Sequence, residues 1–252
     1  MSRFTDKVVL ITGAASGIGQ ATAKRIASEG GKIVCVDLQQ DAVKAVAAGI
    51  VADGGEAIAL TCDITDQDAV KATVAASVEH FGQLNALCNI AGMLRFDKTL
   101  DVDMKDFDQI MNVNCRGTFM MCQAAIPHLL ETKGYIVNMA SLAALGSHAW
   151  TAAYSASKGA VLSLTKCIAI EYGLEGLNCN AICPAGIDTP MVAAAAEQLP
   201  EGIDHRLFSK ITPLDGHFAD PADVASAVAF YACDDAKHIN GDHMRLDGGL
   251  TS

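Results

Sequence analysis

Positive charge is scarce in this sequence of 252 residues: 18 Lys and Arg stand against 29 Asp and Glu, a formal net charge of −11 at pH 7. Phosphate polymers and anionic membrane surfaces need a basic footprint, so nucleic acid and membrane are excluded as partners and a small-molecule role is favoured. The sequence also lacks any CxxC pair. Its nine cysteines (Cys35, Cys62, Cys88, Cys115, Cys122, Cys167, Cys179, Cys183, Cys233) lie scattered through apolar stretches and are read as free thiols in a reducing compartment. No metal site is expected, because His80, His128, His205, His217, His238 and His243 show no ligand spacing. No apolar run approaches the roughly 20 residues of a membrane span. The start, Met1 to Lys7, lacks a long apolar region and a cleavage site, so a cytoplasmic protein is expected.

What is present is alternation. Val8 to Ile11 precedes a glycine-rich turn and a helical stretch from Gln20 to Glu29; Ile33 to Val36 follows, then a helix from about Asp41 and a strand at Ala57 to Thr61. A helix after Asp66, a strand at Asn85 to Asn89 and one long helix from about Met104 to Leu130 continue the pattern. The strand Tyr135 to Asn138, a helix from about Thr151 to Tyr172 and the strand Asn178 to Cys183 come next. Nearly continuous apolar strands separated by helices specify an α/β fold: one domain over residues 1–252, a doubly wound parallel sheet with helices on both faces. After Thr189, Pro190, an alanine run, Pro200, Gly202 and Pro213 break the βα rhythm, and a substrate lid is expected at about 190–213. Asp220-Pro221 reads as an N-cap with Pro at the first helical position, opening a helix to about Cys233; a last strand falls at His243 to Leu246.

Thr12-Gly13-Ala14-Ala15-Ser16-Gly17-Ile18-Gly19 sits between the first strand and the first helix. Gly13 permits the tight turn, Gly17 lets backbone approach an anion, Gly19 allows close helix packing, and the helix N-terminus offers N–H groups to a pyrophosphate. A dinucleotide is therefore expected here, touching Gly13, Ser16, Gly17, Ile18 and Gly19. Asp37 ends the second strand about 20 residues further on, where a carboxylate accepts from both ribose hydroxyls and repels a 2′-phosphate. Neither Leu38-Gln39-Gln40 nor Ala14-Ala15-Ser16 supplies an Arg or Lys for such a phosphate, so NAD is expected over NADP, with Asp37 and Leu38 as contacts. Asp63-Ile64 and Asn89-Ile90-Ala91-Gly92 end the third and fourth strands, where ligands bind in open sheets; each reads equally as a ligand contact or as an ordinary cap or turn.

Tyr154 and Lys158 stand at i, i+4, placing phenol and ammonium on one helix face. A neighbouring ammonium, with the positive charge of an oxidised nicotinamide, favours phenolate and draws a tyrosine toward working pH, although the same spacing also occurs on ordinary helix surfaces. Ser141, thirteen residues before Tyr154 and just past the fifth strand, brings a hydroxyl to the same sheet edge. Asn114 places a polar group inside the long helix where propensity would not choose one.

In these motifs, in this order and spacing, the chain resembles the classical short-chain dehydrogenase/reductase family, from the turn at Thr12 to Gly19 through to Asp247-Gly248-Gly249. The resemblance implies a Rossmann-type fold and an enzyme with a Ser-Tyr-Lys-Asn centre. It implies Tyr154 as general acid/base, Ser141 as the group that polarises the reacting oxygen, and Lys158 as charge and partner of the nicotinamide ribose. Asn114 would hold a water linking Lys158 to solvent. Backbone at Ile187 and the hydroxyl of Thr189 would hold the carboxamide, and a homotetramer is implied. Two departures stand out: Ala185 follows Pro184 where the family carries glycine, and Ile90 replaces the family's second Asn.

The substrate is expected among Met93, Leu142, His148, Trp150 and Met191, an apolar set without a cluster of Arg or Lys, which disfavours a highly charged substrate. His148 and Trp150 either line that pocket or pack a loop. The leading expectation is an NAD-dependent alcohol dehydrogenase or ketoreductase acting on a mainly apolar secondary alcohol or ketone. A 3-oxoacyl-carrier-protein reductase is the alternative, disfavoured by Asp37 and the acidic balance; a non-catalytic dinucleotide sensor is disfavoured by the retained Ser141, Tyr154, Lys158 and Asn114.

Overall fold

Alternating side chains divide the first strands of the sheet between two cores. Val9 and Ile11 join Ile33 and Cys35 on one face, while Val8 and Leu10 join Val34 and Val36 on the other. The structure, a computed structural model, describes residues 2–204, 206–207 and 212–251. Its strands are β1 (Val8–Thr12), β2 (Lys32–Asp37), β3 (Glu56–Thr61), β4 (Ala86–Asn89), β5 (Tyr135–Met139), β6 (Asn178–Pro184) and β7 (His243–Leu246). They form one parallel sheet in the order β3-β2-β1-β4-β5-β6-β7.

Helices α1 (Gly17–Ser28), α2 (Gln40–Ala52) and α3 (Gln67–Phe81) follow the first three strands. They are joined by α4 (Met104–Met111), α5 (Thr118–Thr132), α6 (Ala143–Gly146), α7 (Ala152–Tyr172), α8 (Pro190–Ala196) and α9 (Pro221–Tyr231). The first core takes residues from α1, α2 and α9, and the second from α3, α5 and α7, so both sheet faces are covered as expected. Caps fix several starts: Asp66 accepts from Asp68 N–H and Ala69 N–H at α3, and Asp220 with Asp223 forms a capping box before Pro221. Strand order reverses between β1 and β4, which opens a crevice at the carboxyl ends of the strands.

Two expectations need correction. The single long helix is three segments, because α4 passes into a π-helical stretch at Asn112–Gly117 before α5 begins. The wider π turn carries Asn114 into full burial. The short α6 was not anticipated in the link between β5 and α7. Of the expected lid, α8 is described, whereas residues 205 and 208–211, and with them His205, lie outside the described residues. Among the described residues all nine cysteines are free, no helix is long and apolar enough to cross a membrane, and no group of His, Cys, Asp or Glu is arranged to hold a metal.

Candidate active site

At the amino end of α1 the backbone leaves no room for side chains. Gly13 and Gly17 have φ of +70° and +49°. A Cβ on Gly13 would fall 2.9 Å from the Ala91 backbone, and one on Gly19 only 2.0 Å from the Gly13 carbonyl oxygen. Ser16 occupies the N-cap position without a side-chain cap bond, and Gly17, Ile18 and Gly19, which open α1 with N–H groups unpaired within the helix, line the crevice. The Asp37 carboxylate accepts from Ala15 N–H and from Gln39 N–H, both at 3.0 Å, and so ties the end of β2 to the glycine turn. Thr12 does the same for β4: its hydroxyl accepts from Ile90 N–H and Ala91 N–H.

A cleft of about 650 Å³ runs from Asp37 over this turn to Ser141, Tyr154 and Lys158. Every residue assigned to the cofactor end lines it except Asn89. Asn89 is buried beneath the floor, donating to Asn138 Oδ1 at 2.9 Å and Cys122 Sγ at 3.2 Å, while Asn138 donates on to Thr165. Its amide nitrogen braces β4 against β5 and, through Asn138, against α7. Asp63 lines the cleft and also serves its own turn, accepting from both N–H and hydroxyl of Thr65. Thr189 caps α8, and its methyl would lie 3.2 Å from a Cβ on Gly17, which brings α8 over the glycine turn. The positive helix end, the missing Cβ atoms and the carboxylate at Asp37 together fit a dinucleotide.

At the other end Lys158 is almost wholly buried and donates to the Met139 carbonyl at 2.7 Å, with Nζ 5.7 Å from the centre of the Tyr154 ring. Burial draws the Lys158 ammonium down to about 8. Burial also pushes the Tyr154 phenol above its ordinary value, and the hydrogen bond with Ser141 pulls partly against that rise. Both groups share one dry pocket in which desolvation disfavours both charged forms, so the lowering expected for the phenol has to come from the ammonium and an oxidised nicotinamide acting against burial. Ala143 N–H donates to the Ser141 hydroxyl at 3.1 Å and holds it in place.

Asn114 grips the neighbouring loop from both sides. Its Oδ1 accepts from Met93 N–H at 2.8 Å, and its Nδ2 donates to Met93 O at 2.9 Å and to Ser157 Oγ at 3.0 Å. A Cβ on Gly92 would come within 3.1 Å of Asn114 Oδ1 and 3.4 Å of Lys158 Nζ, so glycine there lets the loop lie against the centre.

Of the expected substrate residues, Met93 and Met191 line the cleft. Leu142, His148 and Trp150 are not among its lining residues. Leu142 is buried, with its N–H bonded to Pro184 O, and the His148 and Trp150 carbonyls accept from the Thr151 hydroxyl and Asp97 N–H within a loop. Ala185 lines the cleft without a left-handed φ and donates to Leu246 O, so its Cβ is accommodated. Sequence reasoning missed Gln109, Val113 and Gln198, which also line the cleft. The i, i+4 step from Gln109 to Val113 and the Met191, Ala195, Gln198 stripe were the available signals.

Comparison with known proteins agrees with this geometry. A family model described as enoyl-(acyl carrier protein) reductase matches residues 13–251. The chain is 37% identical to meso-2,3-butanediol dehydrogenase of Serratia marcescens over 99% of its own length and 96% of that protein. The crystal structure of levodione reductase superposes with a TM-score of 0.91 at 33% identity, covering 98% of both chains. A short-chain dehydrogenase from Mycobacterium paratuberculosis bound to NAD does so with a TM-score of 0.91 at 27% identity, covering 99% of each. The chain belongs to the short-chain dehydrogenase/reductase family, oxidoreductases that work with a nicotinamide dinucleotide.

Proposed function

We propose that this enzyme interconverts a mainly apolar, uncharged secondary alcohol and its ketone with NAD(H) in preference to NADP(H). The observation that carries the reading is the joining of Asp37, the glycine turn and the Ser141, Tyr154, Lys158 group in one cleft. Gly13, Ser16, Gly17 and the start of α1 would hold the pyrophosphate, Asp37 the adenosine ribose, and Ile187 with Thr189 the carboxamide. When bound, the nicotinamide accepts or returns hydride at the substrate carbon.

This chain's residues then handle the proton. Ser141, fixed by Ala143 N–H, donates to the reacting oxygen and orients it beside the phenol. Tyr154 takes the hydroxyl proton in oxidation and gives it back in reduction, a role worth roughly 10²–10⁴-fold in rate. Lys158, poised near 8 by burial, supplies positive charge beside the ring and can release a proton near neutral pH. Asn114 fixes the Met93 backbone, so its contribution is the shape of the substrate wall as well as the expected water link. The pocket rejects charged substrates, since Lys158 is the one cation among the described lining residues and is already bound to Met139 O.

Asp37 selects the cofactor by its charge: a 2′-phosphate would meet a carboxylate instead of a cation. Exposed Phe119 on α5 with Ile170 on α7 and Leu174 just after it offers apolar surface for the expected homotetramer. The test is an assay of nicotinamide reduction over secondary alcohols, with NAD and NADP side by side. Turnover with NAD well above that with NADP supports the reading; equal or reversed preference overturns the cofactor assignment.

A further inference from the structure

Two glutamines, each with a neutral amide, line the cleft beside the Met93 and Met191 walls. Gln109 and Val113, one turn apart, line it from the α4 side, and Met191, Ala195 and Gln198 line it along one stripe at i, i+4, i+7 from the α8 side. Beyond Ser141, Tyr154 and Lys158, which serve the reacting end, and Thr189, whose hydroxyl caps α8, these glutamines are the polar side chains among the described residues on that side. Each amide carries donors and an acceptor and no charge.

The surrounding charges narrow what they can bind. Arg95 stands near this wall, but its guanidinium is committed: Nε lies 3.1 Å from Asp97 and Nη1 3.1 Å from Asp106. Asp106 and Gln109 share α4, so the same ion pairs fix the Gln109 helix to the loop carrying Met93. Among the described residues an anionic group would meet no available cation at this wall, whereas a hydroxyl or carbonyl would find partners in either amide.

We infer that Gln109 and Gln198 select substrates bearing a second, uncharged oxygen near the reacting carbon: a diol, a hydroxyketone or a diketone. The inference rests on the alcohol/ketone reading above and deepens it. The apolar residues between the amides hold the carbon skeleton, Ser141 and Tyr154 hold the reacting oxygen, and the glutamines hold the other. Both glutamines are solvent-exposed, which places the second oxygen toward the mouth. A hydrogen bond of this kind changes discrimination by about threefold to tenfold.

The test compares kcat/KM for 2,3-butanediol with that for 2-butanol, using NAD, in the native enzyme and in Gln109→Leu, Gln198→Leu and the double variant. The ratio of the two values is the readout, and NADH titration reports that each variant is folded. The diol-to-alcohol ratio is expected to fall about threefold or more in at least one single variant and about tenfold or more in the double variant. An unchanged ratio in all three overturns the inference while leaving the alcohol/ketone reading in place. A native enzyme that oxidises neither alcohol, nor any other in a broader panel, overturns both.

Discussion

Lys158 and Tyr154 each face the same cost, the loss of water around a charge. A buried lysine lowered from 10.5 to about 8 binds fewer protons folded than unfolded between those values. The resulting penalty, on the order of 3 kcal/mol by the value of a pKa unit, is fully present below pH 8 and is relieved as pH rises toward 10.5. In Lys158→Met the penalty is absent at every pH. The stability of the native protein relative to this variant should therefore increase as pH rises across that window, measured by denaturant unfolding at several pH values. A difference that stays constant with pH contradicts the burial argument. Asp37 supports a second prediction: Asp37→Ala weakens NADH binding about tenfold or more and NADPH binding far less, read by titration of reduced-nicotinamide fluorescence. Equal weakening removes the electrostatic account of cofactor choice.

Whole elements carry constraints that no single side chain shows. The turn from β1 into α1 is so close that Gly19→Ala would force a Cβ to within 2.0 Å of the Gly13 carbonyl oxygen. It should cost more than about 2 kcal/mol in denaturant unfolding and raise the Kd for NADH, and an unperturbed variant would mean that the turn is looser than described. The elements themselves were largely legible. Strand β7 matches its sequence expectation residue for residue, and the Asp220-Pro221 cap opens α9 as read. The π segment was not legible, because helical periodicity does not distinguish one widened turn from a continuous helix. For the same reason Gln109 and Val113 were missed while Asn114, odd by its polarity, was found. For His148 and Trp150 the sequence left pocket wall and loop packing equally open, because proximity to Tyr154 in sequence does not fix the path of the link; their backbone bonds lie within that loop. Asn89 reads equally as a strand-end ligand contact or an ordinary turn; the polar pair it forms with Asn138 was not legible, because it depends on the sheet order that brings β4 beside β5.

At the scale of the whole molecule, one parallel sheet brings residues far apart in sequence to a single edge. Asp37, Ser141, Lys158 and Thr189 lie on or after four different elements, and the order reversal between β1 and β4 opens the cleft that joins them. The acidic balance that excluded nucleic acid is no obstacle to a dinucleotide, since backbone N–H groups and a helix end bind its pyrophosphate. The exposed apolar residues Phe119, Ile170 and Leu174 predict association; sedimentation at micromolar concentration should show a tetramer, and a monomer there would contradict it. The most direct test of the central claim is turnover in Tyr154→Phe, measured as reduced nicotinamide formed from a secondary alcohol that the native enzyme oxidises. The rate should fall at least about 100-fold while NADH binds within about twofold of native affinity. A variant that turns over at the native rate would contradict the proton-transfer role on which the proposed chemistry depends.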